Sequence, residues 1–171
     1  METAWIGDLL ALTVADIDFL DPALVGTPDV RERGVRLELR PVATAHAGSV
    51  YAGPSVALAP GVVRVDLLES APGRADRMHW HPEMAGGEPG RRVLDPAIGA
   101  DPTGWLRARL ADVVGLLREA GVPEPERYVA DATAFARVAE EVVARVEAGL
   151  TRAREPWPEV QRDARGLAPV C

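Results

Sequence analysis

The chain has 171 residues, 47% of them hydrophobic and 26% charged, with 26 acidic against 19 basic side chains and a net charge of −7. That composition fits one globular domain rather than a disordered chain, and the acidic balance, with no basic stripe interleaved with aromatics, argues against a nucleic-acid partner. Lysine and asparagine are absent, which removes Schiff-base, P-loop and kinase-type chemistry together with N-glycosylation.

Every positive charge is an arginine, the mark of a GC-rich bacterial coding sequence. The first basic residue is Arg31, so no positively charged region leads into an apolar run and no signal peptide is expected. No apolar stretch approaches the roughly 20 residues of a membrane span. The expected compartment is the cytoplasm, with no membrane partner. The single cysteine, Cys171, allows no intrachain disulfide.

In chain order, the apolar residues from Trp5 through Leu12, Val14, Ile17 and Leu20 recur at mixed three- and four-residue spacings, which predicts an N-terminal helix ending before Pro22. Val35, Leu37 and Leu39 alternate with Arg36, Glu38 and Arg40, the period of a half-buried strand stopping at Pro41. A second strand is predicted from 49 to 58, interrupted at Gly53 and Pro54. Val63, Val65 and Leu67 alternate with Arg64 and Asp66 in a third, and 77–81 forms a fourth. Short turns between them imply an antiparallel meander. A loop rich in Gly, Pro and charge spans 85–98. Asp101-Pro102 then opens a helix reaching Gly121, and a second runs over 131–154 with its apolar stripe at helical spacing. The predicted fold is α+β: an N-terminal helix, an antiparallel sheet of about four strands, and a C-terminal pair of long helices packed on the sheet. It occupies 1–171 as a single domain with an irregular tail over 155–171.

One segment carries recognisable chemistry, Met78-His79-Trp80-His81-Pro82-Glu83-Met84. Residues two apart in a strand share a face, so His79, His81 and Glu83 would project together while Met78 and Trp80 face the core. Two imidazoles and a carboxylate suit a divalent transition metal such as Zn, Fe, Mn or Ni. His46, the only other histidine, would join them if the turn carrying it folds beside the fourth strand. If the third and fourth strands pair, Arg64 and Asp66 neighbour the histidine face, where they could tune a histidine or bind an anionic substrate. Glu69 and Asp76 are further carboxylates nearby. The His-x-His pair is similar to the start of the cupin metal motif. Glu83 follows too closely for that pattern, however, and no histidine comes after His81, so the family is not assigned.

Other chemistries find no footing. There is no Gly-x-Ser-x-Gly elbow, Ser49 near His46 is a spacing coincidence, and no dinucleotide fingerprint occurs. The 85–98 loop reads either as a connector or as a lid over the histidine site. Two functions follow. The first is a small metal-dependent enzyme acting on a small organic molecule through His79, His81 and Glu83, the metal polarising a carbonyl or activating water. The second is a non-enzymatic accessory or interaction protein, a homo-oligomer, whose histidines serve structure or line a metal-free pocket.

Overall fold

The structure, a computed structural model, describes residues 1–21, 24–27, 30–46, 48, 53 and 55–167. It is a mixed α+β fold in which helices cover one face of an antiparallel sheet. The strands are β1 (Glu2–Ile6), β2 (Leu10–Leu20), β3 (Arg31–His46), β4 (Ser55–Leu58), β5 (Val63–Glu69) and β6 (His79–His81), followed by a small hairpin of β7 (Met84–Ala85) and β8 (Glu88–Pro89). The helices are α1 (Pro96–Ala100), α2 (Pro102–Ala111), α3 (Val113–Glu119), α4 (Val129–Arg137) and α5 (Ala139–Ala153). In the main sheet β1 to β6 run in the order β1-β2-β3-β5-β6, with β4 pairing the distal end of β3.

The N-terminal helix is not formed, and the sheet has six strands rather than four. Residues 2–20 are a hairpin whose turn is closed by Gly7 N–H donating to the Leu10 carbonyl. What selects strand over helix lies far along the chain. The buried carboxylate of Asp131, in α4, accepts the backbone N–H groups of Asp8, Leu9 and Leu10, each at 2.9 Å. A Cβ at Gly7 would lie 2.3 Å from Asp131 Oδ1, so this turn admits only glycine while the carboxylate holds its place. β2 then pairs along its length with β3, Leu12 opposite Leu39 and Val14 opposite Leu37.

Further departures are local. β3 continues through Pro41 to His46, because the Pro41 carbonyl still accepts from Ala59 N–H while Val42 N–H donates to Leu9. The strand predicted over 49–58 is described only at Gly53 and at β4; Ser49 and Cys171 lie outside the described residues. The strand predicted over 77–81 is confined to its last three residues. The two long helices are broken into shorter ones. At Asp112 the carboxylate accepts Gly115 N–H and starts α3 afresh, and Val138 separates α4 from α5. Within 85–98 the chain makes the β7–β8 hairpin, whose Gly86-Gly87 turn has φ of 62° and 91°, the double positive φ that glycine supplies at no steric cost.

Register divides the sheet into two chemistries. Val14, Leu37, Val65 and Trp80 form one cross-strand row, and Leu12, Leu39 and Val63 the next. All are buried, and they share one core cluster with Leu106, Leu110, Leu117, Val142 and Val146 of the helices. The alternate residues form rows on the opposite face, Arg36-Asp66-His79 and Glu38-Arg64-His81.

Replacing Asp131 by alanine strands three turn N–H groups, and loss of buried hydrogen bonds of this kind costs about 3 kcal/mol in total. Urea unfolding should show that loss for Asp131→Ala, a smaller one for Asp131→Asn, and a comparable penalty for Gly7→Ala.

Candidate metal centre

β6 is three residues long, yet it is held from both sides. Along one edge it pairs with β5, setting Asp66 opposite His79 and Arg64 opposite His81. Along the other, Trp80 exchanges both backbone hydrogen bonds with Val93. From the core side, buried Trp80 packs near Trp105, and the Arg109 guanidinium lies over both rings. His79 and His81 therefore project together from a fixed backbone onto the polar face.

There they meet a carboxylate. Asp66, His79 and His81 are all buried, at 3%, 1% and 5% exposure, and form a cluster that could hold a metal ion. His79 Nε2 lies 3.0 Å from His81 Nε2, and the two are 3.6 and 3.9 Å from Asp66 Oδ2. A triangle with these sides has a circumscribed circle of about 2.1 Å radius, which is the Zn–N and Zn–O bond length. The three donor atoms are thus spaced as the ligands of one ion would be.

The surrounding groups orient the donors. His79 Nδ1–H donates to the Arg77 carbonyl at 2.7 Å, leaving the Nε2 lone pair directed at the cluster, the tautomer a metal requires. With no ion bound, His81 Nε2 must then donate to His79, and His81 Nδ1 is left buried without a partner. Arg36 grips Asp66 through two bonds, Nε to Oδ1 at 2.7 Å and Nη2 to Oδ2 at 3.2 Å. Burial pushes His79 down to about 4 and lowers His81 as well, outweighing the attraction of Asp66. Both imidazoles are therefore neutral near pH 7 and able to coordinate.

The cluster opens into a pocket of about 390 Å³ lined by Phe19, Glu32, Leu68, Glu88, Pro89 and Arg92 among others. The β7–β8 hairpin forms part of its wall and is tied to the sheet by Arg64, which bridges Glu38 and the Gly87 carbonyl. The 85–98 segment thus does line the site, as a lid or a connector would.

The structure does not bring Glu83 or His46 to this cluster. After His81 the chain bends at Pro82, so the two-residue alternation ends, and the Glu83 side chain is 61% exposed and paired with Arg91. Its carbonyl accepts Gly90 N–H, closing the base of the hairpin. His46 is exposed at the far end of β3, opposite Ser55. Asp66 supplies the carboxylate in place of Glu83. Glu32, a buried acid in the same pocket, was missed altogether, since only the β2–β3–β5 register brings it there. Comparison with protein-family models, with curated proteins and with solved structures finds no match to this chain.

Because His79 falls to about 4 from an ordinary 6.5, the unfolded chain binds more protons than the folded one between those values. Its stabilisation is complete above pH 6.5 and is lost as the pH falls toward 4. Glu32, raised chiefly by burial and then by Asp21, acts with the opposite sign. In EDTA-treated protein, moving from pH 7.5 to 5 should lower unfolding free energy by about 2 kcal/mol through His79. His79→Gln should flatten that slope in denaturant titrations.

Proposed function

We propose that this protein is a divalent-metal enzyme acting on a small organic molecule, with Asp66, His79 and His81 as the metal ligands. The observation that carries this reading is the fit of one ion, at bonding distance, to three buried donors already oriented by Arg36 and the Arg77 carbonyl. Three protein ligands is the count of catalytic sites, which keep a coordination position open; structural sites close all four. Two histidines and a carboxylate suit Zn, Fe, Mn or Ni. An ion held by these three donors would keep coordination positions for water or substrate, and the pocket opens at the cluster. There the ion would polarise a carbonyl or lower the pKa of water. No helix among the described residues is long and apolar enough to cross a membrane, and we infer a cytoplasmic protein.

Elemental analysis of tag-free protein, as purified and after incubation with each of the four ions, tests the reading. Near-stoichiometric metal is expected in the wild type and in Glu83→Ala and His46→Ala. Asp66→Ala, His79→Ala and His81→Ala should lose it while circular dichroism confirms their fold. Arg36→Ala should weaken affinity roughly 10–100-fold, the usual effect of removing a group that orients a ligand. If the wild type loads none of the ions, the metal reading is wrong, and the histidines belong to a metal-free pocket or to structure.

A further inference from the structure

Among the described residues, three buried side-chain polar atoms have no hydrogen-bond partner: Glu32 Oε1, Arg77 Nε and His81 Nδ1. Two of the three belong to residues that line the pocket, and the third faces one of those two. His81 and Glu32 line it, and Arg77 Nε is 3.6 Å from Glu32 Oε1, too far for a hydrogen bond. Unsatisfied buried polar atoms are costly, and elsewhere the described part of this fold avoids them. Their gathering at one cavity marks a place where something polar completes them. His81 Nδ1 belongs to the ligand set already described: were an ion held at Nε2, the ring proton would sit on Nδ1. Glu32 Oε1 and Arg77 Nε face each other as a buried ion pair at 3.6 Å, with no hydrogen bond made by either atom.

The lining cations sharpen what the missing group is. Arg36 is spent on Asp66, and Arg64 on Glu38 and the Gly87 carbonyl. Arg92 also lines the pocket, and it has neither a hydrogen bond nor an ion pair among the described residues. It lines that pocket together with His79 and Glu32, and its charge is felt at both. Phe19 and Leu68 add an apolar wall on that side.

We propose that this half of the pocket is a subsite for a small hydroxycarboxylic acid, its carboxylate held by Arg92 and its hydroxyl donating to Glu32 Oε1. A guanidinium with all its donors free is matched by a carboxylate, and a carboxylate oxygen that lacks a donor is matched by a hydroxyl. This deepens the metal reading by naming the substrate class, and it rests on that reading only for the position of the reacting atoms.

The test uses the full chain, both Zn-loaded and EDTA-treated, with lactate and propionate as probes followed by amide chemical shifts. Lactate should give saturable shifts at Glu32, Gly90 and Arg92, with binding at least fivefold tighter than propionate. Arg92→Ala, at an exposed position whose side chain makes no bond among the described residues, should weaken lactate at least tenfold. Glu32→Leu, which removes the acceptor and is checked for fold by circular dichroism, should erase the preference for lactate in the EDTA-treated protein, where chelation cannot contribute. Absence of saturable shifts in both forms, or lactate binding unchanged in Arg92→Ala, would overturn the subsite. If zinc does not load but Arg92-dependent lactate binding persists, the metal reading fails and the subsite stands. If zinc loads and lactate does not bind, the reverse holds.

Discussion

The pairing of β5 between β3 and β6 is the constraint on which the rest depends. Directly opposed residues of an antiparallel pair point to the same face, so fixing Val65 against Leu37 and Trp80 also fixes Asp66 against Arg36 and His79. The apolar row determines the register, because a slip of one residue would drive Asp66 and His79 into the helices and expose Trp80 and Val65. The candidate centre is thus positioned by hydrophobic burial on the opposite side of the same strands. It needs no stabilisation of its own to exist, and that matters because its members are unfavourable to bury.

How that polar face is tolerated follows from its pairing. Burying charge without compensation costs several kcal/mol, and here Arg36–Asp66 and Arg64–Glu38 neutralise one another across the strands at 2.7 Å each. The histidines respond differently, giving up their charge. The result is a water-poor cluster of neutral imidazoles beside a fixed carboxylate, with donors set close together before any ion arrives. Among the described residues, the buried side-chain atoms left without a hydrogen bond belong to Glu32 and His81, which line the cavity, and to Arg77, which faces Glu32.

Carboxylates also bind the helical layer to the sheet. Asp16 accepts from Arg145 and Arg152 of α5; burial alone would raise its pKa, and these two arginines overcome that and hold it low. Glu69, fully buried at the end of β5, accepts from Arg154 and from Gly73 N–H. With Asp131 on the N-terminal turn, these acids use the arginine-only cation set and backbone donors to tie the helical layer to β2, to the end of β5 and to the first turn.

Much of this was legible before folding. Alternation in 35–40 and 63–67 identified two central strands and their polar faces, Asp101-Pro102 marked a helix start, and the His-x-His spacing placed both imidazoles on one side. Asp66 was within reach of the same reasoning once strands three and four were taken to pair. Those inferences hold because strand period and capping are local, set by residues within a few positions of each other. What the tertiary structure decided is whatever depends on partners distant in sequence. Asp131 turns residues 2–20 from an apparent amphipathic helix into a hairpin across more than 120 positions. The bend at Pro82 removes Glu83 from the face its spacing implied and leaves Asp66 as the carboxylate. Glu32 and Arg92 converge on one cavity only because β2, β3 and the segment after β8 close around it. Periodicity reports which way a side chain points along its own element; which other element it then meets is a property of the assembled sheet.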